Sequence, residues 1–140
     1  MEITAVLPQE VNLGSNVIFT ETIVPGSCSI IHTDGSGLVK VRGLSGCQSR
    51  ARFKVAFNGN IALPAGGTAG PISLAISVDR EGVEATRMIV TPTAVESFFN
   101  VSASIYLDVP KGCCATIGVT NTAGPAITVQ NANLIVERVA

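Results

Sequence analysis

The stretch Phe98-Phe99-Asn100-Val101-Ser102-Ala103-Ser104-Ile105-Tyr106-Leu107-Asp108-Val109 alternates with a period of two. Phe99, Val101, Ala103, Ile105, Leu107 and Val109 form an apolar set. Phe98, Asn100, Ser102, Ser104, Tyr106 and Asp108 form the other. Successive side chains of a strand point to opposite faces, so this segment is a long strand with one face for a core. Pro110, Lys111 and Gly112 break the pattern, and alternation returns at Ala115, Ile117 and Val119. A last strand is expected from Ala126 to Val139. Its apolar phase slips between Val129 and Leu134, which predicts a β-bulge or bend near Gln130 to Asn133.

The same reading extends towards the N-terminus. Strands are expected at Ser15 to Glu21, Ile30-Ile31, Leu38 to Arg42, Arg52 to Asn58 and Ile72 to Asp79. Arg80-Glu81-Gly82 reads as a hairpin turn into a strand at Val83 to Val90. No stretch of ten residues carries helical apolar spacing with caps. Gly and Pro punctuate the whole chain, which argues for an all-β antiparallel sandwich with no substantial helix. The 140 residues suit one domain, expected as an extended segment over 1–13 followed by the sandwich over 14–140.

Composition narrows the function. Charged residues are 14% of the chain, below the roughly 25% usual for soluble domains. A surface so poor in charge is expected to be partly covered by other copies. The net charge of -1 gives no general attraction for nucleic acid or anionic membrane. No segment has the apolar length of a membrane span. Met1 to Val11 holds Glu2 and Glu10 and no cation, unlike a secretory signal.

Catalysis finds few candidates. His32 is the only imidazole, and Cys28 lies four residues before it, a spacing that guarantees no contact in a strand or loop. His32 is expected to hydrogen-bond a turn through Asp34 or Ser36. Cys28, Cys47, Cys113 and Cys114 lack the paired spacing of zinc ribbons. Free thiols, a Cys28–Cys47 disulfide, and a zinc site drawing on Cys28, His32, Cys47 and Cys113 or Cys114 all remain open. No catalytic residue, dedicated metal site or cofactor is expected. Lys40, Arg42, Arg50, Arg52 and Lys54 hold five of the nine cations in the polar phase of their strands. They read either as a solvated outer face guarding a strand edge or as a basic patch for an acidic partner surface, a polyanionic sugar or nucleic acid. Nucleic acid is disfavoured there, because nearby Phe53 and Phe57 belong to the core set.

The order of these motifs resembles the tumour-necrosis-factor and complement-globular-head superfamily. The features are an early Val17-Ile18-Phe19, the run Gly35 to Val41, an aromatic strand at Arg52 to Asn58, and a hairpin tip at Val78 to Gly82. The chain then closes with the long strand, the Pro-Lys-Gly turn, and a final Ala132 to Val136. Within that group it looks most like bacterial spore-surface heads and gut-phage structural proteins. It departs from the pattern in carrying Phe53 where a Tyr is usual, and in its Cys113-Cys114 pair.

The resemblance implies a jelly roll of about ten strands and a non-enzymatic homotrimer. It places Phe98, Asn100, Ser102, Ser104 and Tyr106 towards the threefold axis. It further implies a structural role on a bacteriophage virion, as a capsid decoration or head-fibre protein made in the host cytoplasm. The 1–13 segment would add a strand to a neighbour's edge. The alternative is a receptor- or glycan-binding head on a spore or cell surface, or at a phage fibre tip.

Overall fold

The computed structural model describes residues 1–43, 49–122 and 124–140. Its strands are β1 (Glu2–Ala5), β2 (Gln9–Val11), β3 (Glu21–Val24), β4 (Ile30–Ile31), β5 (Val39–Arg42), β6 (Arg50–Ala62), β7 (Ile72–Val78), β8 (Glu81–Gly82), β9 (Met88–Val90), β10 (Phe99–Pro110), β11 (Cys114–Asn121) and β12 (Ile127–Arg138). One 3₁₀ turn, Glu84–Thr86, lies between β8 and β9.

The strands form two antiparallel sheets. Sheet I runs β10-β6-β12-β1-β3, with β2 also on β12. Sheet II runs β4-β5-β11-β7-β8, with β9 also on β7. The pairs nest like brackets: β1 with β12, β5 with β11, β6 with β10, β7 with β9. Successive pairs alternate between the sheets. The chain is therefore one long hairpin rolled into a sandwich, which is the jelly-roll topology.

Alternation places the core. Along β6, Ala51, Phe53, Val55, Phe57 and Ile61 are buried, while Arg50 and Asn58 are exposed and Arg52, Lys54, Ala56 and Asn60 half-buried. Phe19, Phe53, Phe57, Leu74, Ile76, Ile117 and Leu134 fill the space between the sheets. Gly59 follows Phe57 on the same face, where a Cβ would come within 2.9 Å of the Phe57 ring. The missing side chain makes room for that ring.

The slip expected in β12 is present, and several other expectations change in the folded chain. The bulge in β12 falls between Gln130 and Asn133, with Asn131 at φ 53°. It lies opposite the break between β1 and β2, where the Asn131 amide donates to the Val6 carbonyl at 3.1 Å. The segment over 1–13 is no free arm: β1 lies between β12 and β3, so both its edges are already used. Ser15 to Glu21 makes only isolated bridges at Asn16 and Phe19, and the regular strand is β3.

Val83 to Val90 is interrupted by the 3₁₀ turn. Thr86 mends the gap: its hydroxyl accepts the Ile76 amide at 3.0 Å and donates to the Val83 carbonyl at 2.7 Å. Phe99 belongs to the inward phase yet is 41% exposed. Along β10, Ala103, Ile105 and Leu107 are only partly buried. β10 is the outermost strand of sheet I, so the opposite sheet covers its inner side incompletely.

Candidate functional site

The outer face of sheet I gathers most of the residues singled out by the sequence. Cross-strand register builds it in rows. Tyr106 faces Lys54, which faces Glu137; Ser104 faces Ala56, then Ile135, then Glu2. Ser102 faces Asn58, then Asn133, then Thr4, and Asn100 faces Asn60, then Gln130. Asn100, Ser102, Ser104 and Tyr106 are all exposed on this face, and Phe98 lies just before β10, 40% exposed.

The middle of the face is uncharged and made of small side chains. A shallow depression of about 440 Å³ lies there, lined chiefly by Ala56, Asn58, Ser102, Ser104, Asn133 and Ile135. Amides organise its rim. Asn100 Nδ2 donates to Asn58 Oδ1 at 2.8 Å and to Asn60 Oδ1 at 3.1 Å. Asn133 Nδ2 donates to Glu2 Oε2 at 2.7 Å. Such short polar groups hold one another while leaving lone pairs and N–H groups for an external surface.

The ion pairs cluster at one end, while Glu2 adds a carboxylate where the middle rows reach β1. Arg52 grips Asp108 through Nε and Nη2, and Arg50 lies 3.4 Å from the same carboxylate. The hydrogen bond from Arg52, reinforced by the charge of Arg50, holds the Asp108 carboxyl below its ordinary range. The same contact raises Arg52 further.

The five cations do not form one patch. Arg50, Arg52 and Lys54 lie on β6 in sheet I, whereas Lys40 and Arg42 lie on β5 in sheet II. The two sheets turn their outer faces in opposite directions, and two of the three on β6 are committed to Asp108. Even numbering placed all five in the polar phase, but it carried no information about which sheet each strand joins.

The His32 ring is buried; its Nε2 donates to the Ser36 carbonyl at 2.9 Å. Its Nδ1 is 3.9 Å from Asp34 Oδ1 and has no hydrogen-bond partner. Cys28, Cys113 and Cys114 are exposed free thiols. Cys47, the other half of the candidate disulfide, lies outside the described residues. No cluster of three or more His, Cys, Asp or Glu suited to a metal exists among the described residues.

The sequence did not single out Asn58, Asn60, Asn133 and Ile135, which complete the face. The polar phase of β6 and β12 carried that signal, but their neighbours across the sheet are set by register.

No family model matches the chain, and no curated protein matches it. Among solved structures, the EclA C-terminal domain, described as a sugar-binding protein, is similar at 12% identity and a TM-score of 0.42. That match covers 95% of this chain and 79% of that one. The CBM35 from Cellvibrio japonicus Abf62 is similar at 12% identity and a TM-score of 0.35, covering 100% of this chain and 97% of its own.

Proposed function

We propose that this protein is a non-catalytic head that assembles as a homotrimer through the outer face of sheet I. The observation that carries the reading is β10. It is a 12-residue edge strand in unbroken register with β6, and Asp108 is its only charged side chain. Edge strands in stable monomers are blunted by shortness, bulges, Lys or Pro. The opposite edge, β3, has four residues and a register shift beside it; β4 and β8 have two each. β10 has none of these defences along most of its length, and it borders the small, uncharged rows of the face. Homomeric interfaces favour such charge-depleted centres. Nested strand pairing also fits the superfamily that the sequence resembles.

Light scattering of the isolated chain tests this. A trimer at micromolar concentration is expected, and Ser102→Arg is expected to give a folded monomer. A wild-type monomer, or trimers that survive Ser102→Arg, would refute it. Placement on a virion surface rests on the resemblance and is tested by electron microscopy of purified particles with labelled protein. A spore or cell surface is the alternative outcome.

The amide-lined depression favours a second reading, a site for a neutral glycan. Hydroxyl-rich ligands match clustered Asn and Ser groups, and exposed Tyr106 offers an apolar face nearby. Titration calorimetry with neutral oligosaccharides separates the two. Binding that Asn58→Ala abolishes in a monomeric protein supports the glycan site.

A further inference from the structure

His32 is the one imidazole of the chain, and it takes no part in the proposed trimer face or the amide-lined depression. Its side chain is fully buried in the connection between β4 and β5. The Ser36 carbonyl can only accept, so Nε2, 2.9 Å from it, carries a proton. In the neutral ring Nδ1 is then a bare lone pair, and no hydrogen bond reaches it. It faces a second acceptor, Asp34 Oδ1, at 3.9 Å. Two acceptors turned towards each other are unfavourable unless something positive stands between them.

The surroundings hold both groups in place. Thr22 Oγ1 donates to Asp34 Oδ1 at 2.6 Å. The Gly35 amide donates to the Phe19 carbonyl, and the Phe19 amide to the Ser36 carbonyl. The connection is thereby tied to the segment that enters β3. Metal-binding imidazoles are oriented in this manner, with the other N–H given to a carbonyl or carboxylate, and ligating carboxylates are themselves hydrogen-bonded.

We infer that His32 Nδ1 and Asp34 Oδ1 bind a divalent cation of the zinc type, with water completing its shell. A nitrogen and an oxygen donor suit zinc and its first-row neighbours better than calcium or magnesium, which prefer oxygen alone. Zinc bonds both donors at about 2.0 to 2.2 Å, and a tetrahedral angle sets them about 3.4 Å apart. The gap exceeds this by about half an ångström, and the Asp34 side chain, 61% exposed, is free to close it. Among the described residues no third His, Cys, Asp or Glu joins the pair, so binding is weaker than in closed four-ligand sites. The ion would fasten the β4–β5 connection of sheet II to β3 of sheet I through Asp34 and Thr22. β3 is the edge of sheet I farthest from β10, so the inference stands independently of the trimer reading.

Nitrogen-15 NMR of the full chain tests this, because a single imidazole gives one pair of ring signals. The titration with zinc is run at mildly alkaline pH, above the ordinary imidazole value of about 6.5. The metal-free protein is expected to show a protonated Nε2 and a bare Nδ1. Zinc is expected to move the Nδ1 signal to saturation while Nε2 keeps its proton. Asp34→Asn leaves an oxygen for Thr22 and should weaken this binding roughly tenfold or more, with circular dichroism confirming the fold. Zinc taken up by the exposed thiols of Cys28, Cys113 and Cys114 does not produce the Nδ1 shift, so the ring signal isolates the site. A protonated Nδ1 in the metal-free protein overturns the inference in favour of an ion pair with Asp34. An Nδ1 signal unmoved by a large excess of zinc overturns it in favour of a bridging water. A shift that Asp34→Asn leaves unchanged overturns it in favour of adventitious binding to a single donor.

Discussion

Arg52 and Asp108 face each other across the β6–β10 pair and are joined by two hydrogen bonds, Nε to Oδ1 at 2.8 Å and Nη2 to Oδ2 at 3.1 Å. The paired geometry suits a guanidinium and a carboxylate, and it fixes the charged end of the outer face. Arg50 stands over the same carboxylate, so one acid serves two cations.

That pair has a defined pH signature. The folded-state pKa of Asp108 lies below its unfolded value. Its contribution to stability is complete above the unfolded aspartate value of about 4 and is lost as pH falls through the folded value. Asp108→Asn should melt below wild type at neutral pH, and the gap should close in acid. Thermal melts of both proteins from neutral pH downwards check this; a gap independent of pH refutes it.

Burial ranks two core substitutions that alternation alone treats as equals. Leu134 is fully buried on β12 in the middle of sheet I, whereas Ile105 lies on the edge strand β10 and is half-covered. Leu134→Ala should cost about 2–5 kcal/mol, as large core truncations do. Ile105→Ala should cost clearly less, because less area leaves the core and the exposed flank can relax. Urea denaturation of the two variants measures the difference; equal losses would show that the edge is as tightly covered as the centre.

Asp79 and Arg80 form the tip of the β7–β8 hairpin with φ of 52° and 71°. Two left-handed residues define a type I′ turn, which favours Asn or Asp followed by Gly. Asp79 suits its position, and its carboxylate also accepts the Thr116 amide at 3.0 Å. Arg80 has no such compensation, and a left-handed residue with a Cβ costs roughly 1–2 kcal/mol. Arg80→Gly is therefore expected to stabilise the domain by about 1 kcal/mol in urea titration, after the greater freedom of unfolded glycine is set against the relief. A loss of stability would show that the Arg80 side chain makes a contact worth more than its strain.

Much of the architecture could be read from period-two patterns. β6, β7, β10 and the slip in β12 all follow from which neighbours alternate, because side-chain direction along a strand is a local property. The misreadings share one cause. Val17 and Phe19 are buried although their segment makes only isolated bridges, at Asn16 and Phe19, since burial does not require a continuous ladder. Thr86 interrupts a strand that its apolar neighbours advertise, and only its hydrogen bonds to Ile76 and Val83 show why the break is tolerated.

The order of side chains therefore determined the strands, their inward faces and the shortage of charge. Folding decided the rest. It set Lys40 and Arg42 apart from Arg50, Arg52 and Lys54 on different sheets, drew the first residues into the sheet beside β12, and left Phe99 at an open corner. Those outcomes depend on partners far along the chain, and a repeat of two residues carries no record of which strand lies alongside.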